Sequence, residues 1–178
     1  MKTMETNVTN QPGPMSTALR YGIICALLSI AYGLIFYLLN MSLNRGVMWF
    51  GYIILVVCIV LGVRAHRDRE LGGYMSFGRG LGAGSLISLI AGVMLAAYAI
   101  PFFTVIAPEV HEELIRKTEA EMMEKAMSPE AYEQSLKYAK MMLTPAMMAV
   151  WSLVWIFFIG FVTSLITAAI MQKKQTIA

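Results

Sequence analysis

Residues 80–106 read GLGAGSLISLIAGVMLAAYAIPFFTVI, with no Asp, Glu, Lys or Arg among them. A helix needs roughly 20 apolar residues, at about 1.5 Å each, to cross the hydrocarbon core of a bilayer. This stretch exceeds that length. Outward from it, the runs Tyr21 to Asn44, Gly46 to Val63 and Met141 to Gln172 are equally free of charge. The whole chain of 178 residues is 58% hydrophobic and 14% charged, against about 25% charged in an ordinary soluble domain. The sequence therefore predicts an all-α protein, a four-helix transmembrane bundle forming one membrane domain over residues 18–172. The expected spans are about 18–40, 47–63, 80–106 and 144–171, the second at the lower limit of length.

Residues 1–17 are polar, carry Gln11-Pro12-Gly13-Pro14 and predict a disordered tail; residues 173–178 form a second tail. The polar lead is too long for a secretory signal, whose short basic region is followed by a brief apolar stretch, so the first span reads as uncleaved. Asn40, Ser42, Asn44 and Gly46 supply turn chemistry between spans one and two. A loop is expected from Arg64 to Arg79, and Pro101 should kink or end the regular part of the third span.

Basic residues near span ends are retained on the cytoplasmic side. The loop with Arg64, Arg67, Arg69 and Arg79, together with Lys2, Arg20, Lys173 and Lys174 in or near the tails, places both termini in the cytoplasm. Arg45, Arg116, Lys117, Lys125, Lys137 and Lys140 count the other way, so the margin is modest. Trp49 and Trp151 fall at the outer interface, where indole rings prefer to sit.

The outer-facing segment 108–143 reads as a helical hairpin. Val110, Leu114, Met122 and Ala126 give an apolar stripe in its first half. Ser128-Pro129-Glu130 is a helix start, with a capping hydroxyl and proline at the first helical position. Tyr132, Leu136, Ala139 and Leu143 then recur along one helix face.

Several chemistries lack their residues. Net charge is only +3 and basic residues are scattered, so nothing suggests nucleic-acid binding. Gly78-Arg79-Gly80-Leu81-Gly82-Ala83-Gly84 superficially matches a dinucleotide fingerprint, but no strand precedes it and no βαβ unit surrounds it. Met122, Met123, Met127, Met141, Met142, Met147 and Met148 cluster on the outer side, and thioethers suit Cu(I). No cysteine lies among them and His111 is remote in sequence, so they read as flexible apolar fillers. His66 and His111 are the two histidines; His111-Glu112-Glu113 lacks the second histidine of a zinc helix. Ser29, Ser88 and Ser164 have no base at their depth and should bond their own helices. The expectation is no catalytic residue, no metal and no cofactor. Cys25 and Cys58 read as small core residues, with a disulfide as the alternative. No ionisable residue of the kind that marks ion pathways lies within the uncharged runs.

What the spans do carry is a small residue at every fourth position: Gly80, Gly84, Ser88, Gly92 and Ala96 in the third, Gly160, Ser164 and Ala168 in the fourth. That spacing lines one helix face and lets another backbone approach closely, which is how helices associate in lipid. These faces should pack within the bundle; a homodimer interface is the alternative.

Gly73-Tyr74-Met75-Ser76-Phe77-Gly78-Arg79, Thr144-Pro145 and Ile159-Gly160-Phe161-Val162-Thr163-Ser164-Leu165-Ile166 together resemble a bacterial family of four-span membrane proteins with no assigned role, number 4199 in the domain-of-unknown-function series. The likeness extends over most of Arg20 to Lys174. It implies an inner, cytoplasmic membrane, with 108–143 facing the periplasm, and offers no site residues to transfer. Tyr74 and Phe77 can sit at headgroup level with Arg79 reaching phosphates, so Tyr74, Phe77, Arg79, Trp49 and Trp151 form the expected interfacial anchors. The expected function is a non-enzymatic membrane component whose partners are the lipid bilayer and a membrane or periplasmic protein, or a further copy of itself. The alternative is a small transporter or channel subunit.

Overall fold

A computed structural model describes residues 13–124 and 128–173. The expected disorder of residues 1–12, the outer Lys125, Ala126 and Met127, and the tail from Lys174 onward lie outside the described residues. Six α-helices follow in order: α1 Met15–Leu38, α2 Arg45–Ala65, α3 Phe77–Pro101, α4 Pro108–Met123, α5 Pro129–Met142 and α6 Pro145–Met171. Two π-helical turns, His66–Glu70 and Phe102–Ile106, extend α2 and α3. Among the described residues the fold is all-α, with one isolated antiparallel bridge between Met75 and Lys173.

Four helical stretches are long and apolar enough to cross a membrane: Met15–Leu38, Gly46–Glu70, Phe77–Ile106 and Pro145–Met171. Their outward faces are as apolar as their inward ones. Ile170 is 77% exposed, and Leu38, Phe158 and Ile166 are exposed with it. Helices that are apolar all round belong in a protein interior or in lipid, and among the described residues no protein covers that side. The molecule is a multi-pass membrane protein.

Two expected boundaries are corrected. The tail predicted through residue 17 ends earlier, because Met15 to Thr17 already form the first turn of α1 and the hydroxyls of Ser16 and Thr17 reach across to Glu70. The loop predicted over 64–79 is shorter. Charges end the apolar run at Arg64, yet the helix continues to Glu70, supported by i,i+4 pairing of Arg64 with Asp68 at 3.5 Å and of His66 with Glu70 at 2.6 Å. The connection proper is 71–76, where Gly72 and Gly73 adopt left-handed φ of 62° and 89°.

Elsewhere local chemistry sets the boundaries directly. Asn40 takes φ 56°, and the Asn44 side chain caps α2 by accepting from the Gly46 amide at 2.9 Å. The regular part of α3 stops at Pro101. Ser128 caps α5 by accepting from the Ala131 amide, with Pro129 at the first helical position.

The start of α1, the residue pair after α6 and the α2–α3 connection share one end of the bundle, here the tail end, through the Ser16–Glu70 and Met75–Lys173 contacts. Tyr37, at the far end of α1, meets Glu109 of α4, so α4 and α5 crown the opposite end. The core of the tail-side half is formed by Cys25, Ile59, Val63, Ala83 and Ile87.

Candidate functional site

The helix seam is built from the small residues. α3 and α6 make the most extensive contact in the molecule. Ser88 lies over Gly160, and Ser164 over Gly84, where an added methyl group would stand 2.7 Å from Ser164 Cβ. One turn toward the tails, a methyl on Gly80 would stand 3.1 Å from Ala168 Cβ. In the other direction Gly92 faces Leu153, and Ala96 is only half-buried. Both central serines are fully buried and donate to their own helices, Ser88 to the Ser85 carbonyl at 2.9 Å and Ser164 to the Gly160 carbonyl at 2.6 Å. Their hydroxyls are thereby neutralised inside an apolar layer. Ser29 instead meets the Cys25 thiol, which also pairs with Cys58 across α1 and α2; both thiols are buried and free.

A polar knot closes the tail end. Glu70 accepts from Ser16 at 2.9 Å, from Thr17 and, at 2.6 Å, from the Nδ1 side of His66. His66 is fully buried and its Nε2 has no partner among the described residues. Arg20, Tyr21 and Arg69 wall a small adjoining cavity of about 100 Å³. His66 thus sits inside the helical continuation, where the sequence suggested an inner loop. The only local signal for this was the four-residue interval from His66 to Glu70.

The expected anchors take varied positions. Trp49 is 67% exposed, near the α4–α5 end, with its ring against Tyr52 at 5.8 Å. Trp151 is exposed and donates to the Met142 sulfur at 3.4 Å. At the tail end Tyr74 and Phe77 are exposed and Arg79 half-buried, while the Lys173 ammonium stands 5.6 Å from the Tyr74 ring centroid. That is cation–π range, so Tyr74 also secures the end of α6.

At the crowned end, the Tyr37 hydroxyl donates to Glu109 at 2.5 Å and holds that carboxyl below its usual range. His111 Nε2 lies 2.6 Å from the Leu143 carbonyl, tying α4 to the C-terminal end of α5. Lys140 of α5 pairs with Glu119 of α4 at 2.9 Å. Tyr132, Leu136, Ala139 and Leu143 form the half-buried face of the second half, yet α5 buries no residue and α4 buries Val110 alone.

No curated protein and no solved structure matches the chain. The family model described as "Protein of unknown function (DUF4199)" matches residues 20–173, which takes in most of the first span, the other three spans, the α4–α5 pair and the seam. The chain belongs to the DUF4199 family.

Proposed function

We propose that the protein is a non-enzymatic component of the inner membrane that works through protein partners or by self-association, with the α4–α5 pair as its docking element. The observation that carries this reading is the condition of that pair. Both helices are amphipathic, yet only Val110 is buried, and Met123, Tyr138, Met141 and Met142 remain exposed. Amphipathic helices with an uncovered face commonly meet a partner there. In this reading both tails are cytoplasmic and 108–143 is periplasmic, in keeping with the arginines of the α2–α3 region.

The second reading, a small transporter or channel subunit, draws on a crevice between α1, α2 and α6 in the crowned half. Against it, the tail-side half is closed by Ile59, Ile87, Ser88 and Ser164, all fully buried.

Crosslinking in native membranes tests the docking role. The intact chain should capture a defined neighbour or a second copy, and replacing 109–140 by a short flexible linker should abolish that capture while the four spans still insert. Unchanged capture by the shortened chain would refute docking through α4–α5.

A further inference from the structure

We propose that the crowned half of the bundle holds one glycerophospholipid whose head group bears an ammonium. Three adjoining hollows make the site. The outermost, about 390 Å³, is polar and lined by Tyr37, Asn44, Ser42, Glu109, Glu113 and Lys117. Ser42 also lines the second, about 280 Å³, which is bounded by Tyr32, Phe36, Met48 and Gly51. Tyr32, Met48 and Gly51 continue into the third, about 200 Å³, which reaches Ser29 and Cys25. Cys25 lies thirteen residues before Leu38 on α1, so the passage descends about 20 Å at 1.5 Å per residue, the scale of one acyl chain.

The lining changes with depth as such a lipid does. At the mouth, Lys117 is paired with Glu113 at 2.8 Å, whereas Glu109 has no cationic partner among the described residues and is held by hydrogen bonds from the Tyr37 hydroxyl and its own backbone amide. An ammonium on Glu109 and a phosphate beside Lys117 would complete both. At the neck, Ser42 Oγ is buried without a hydrogen-bond partner, and so is the Tyr98 hydroxyl, whose ring packs 5.5 Å from Phe102 in the same wall. A buried unpartnered hydroxyl calls for a partner, and an ester carbonyl at this level would supply Ser42 with one. Below the neck the walls are mainly aromatic and aliphatic, with Tyr52 and Trp155 facing each other. The side is open: Met48, Trp49 and Trp155 are 58%, 67% and 49% exposed. A chain can therefore enter laterally from the surrounding leaflet while the head group stays at the mouth. The site shares the start of α4 with the proposed docking element but does not use its exposed Met123, Tyr138, Met141 and Met142.

The test is lipid retention by the full chain, reconstituted in nanodiscs containing phosphatidylethanolamine and phosphatidylglycerol in equal amounts, then stripped and read by native mass spectrometry. One phosphatidylethanolamine should remain bound. Glu109→Gln should lower the preference over phosphatidylglycerol about fivefold, the scale of one exposed ionic contact. Gly51→Leu should reduce retention of either lipid by filling the shaft; a methyl there meets nothing nearer than Tyr32 at 3.7 Å, so the bundle has room for the change. Ser42→Ala provides a milder variant that removes only the neck hydroxyl and should also weaken retention. An unaltered unfolding midpoint in detergent would show that each variant is folded. Equal retention of both lipids, retention of neither, indifference to all three variants, or preference for an added single-chain alkylamine over phosphatidylethanolamine would each overturn the proposal.

Discussion

Ser88 of α3 lies so close over Gly160 of α6 that even a methyl group on the glycine would collide with the serine Cβ. The reciprocal contact, Ser164 over Gly84, lies one turn away along each helix. Two serines each fill the notch left by a glycine, and each returns its hydroxyl to its own backbone. Close approach of this kind holds helices together where lipid competes equally for every apolar surface.

Gly160→Ala and Gly84→Ala should therefore each destabilise the bundle by about 1–3 kcal/mol, the usual cost of overpacking a filled interior. Gly82→Ala is the control: no atom lies within 4 Å of its added methyl, and alanine favours the helix by about 1 kcal/mol over glycine. Unfolding of the purified variants in mixed detergent measures the difference. Equal behaviour at Gly160 and Gly82 would remove the seam from the account.

Glu70→Ala should loosen the start of α1. It strips a hydrogen-bond partner from exposed Ser16 and from buried Thr17 and His66 at once, and each of the two buried groups left unpaired costs about 1–3 kcal/mol. Amide exchange in the first turn of α1 should accelerate while exchange around Ile87 stays slow. Exchange unchanged at Thr17 would show that the knot is not what orders this turn.

Much of this was legible because uncharged length and four-residue spacing are local properties. The runs around residues 80–106 reveal spans without reference to any neighbour, and Gly80, Gly84 and Ser88 share a face by helix geometry alone. What could not be read locally depends on distant pairing. Nothing in Met15-Ser16-Thr17 announces a helix turn, since its support is a carboxylate more than fifty residues away. Arg64 to Glu70 read as a loop because charge ends an apolar run, although pairing at i,i+4 lets a helix continue through it. The orphaned Ser42 hydroxyl is visible only once α1, α2 and α4 are brought together.

The Tyr37–Glu109 contact should respond to acid. The tyrosine hydrogen bond lowers the Glu109 carboxyl from its usual 4.5. A carboxyl depressed in the folded state lends its contribution fully above that usual value and loses it as pH falls through the lowered one. Protection at the first turn of α4, taken as exchange relative to the intrinsic amide rate at each pH, should thus fall on acidification below about pH 4.5, and Tyr37→Phe should show the lower protection already near neutrality. A wild-type profile that is flat into strong acid would contradict the tether.

Side-specific labelling in sealed membranes bears most directly on the transmembrane arrangement. With Cys25 and Cys58 replaced by alanine, single cysteines are introduced by Gly13→Cys, Lys173→Cys and Ser128→Cys, and each variant meets an impermeant maleimide added from one face. The two chain-end positions should react together from one side and the α5 cap from the other. Labelling of Gly13→Cys and Lys173→Cys from opposite faces, or a polypeptide that stays dispersed in buffer with no lipid or detergent, would contradict a four-span bundle.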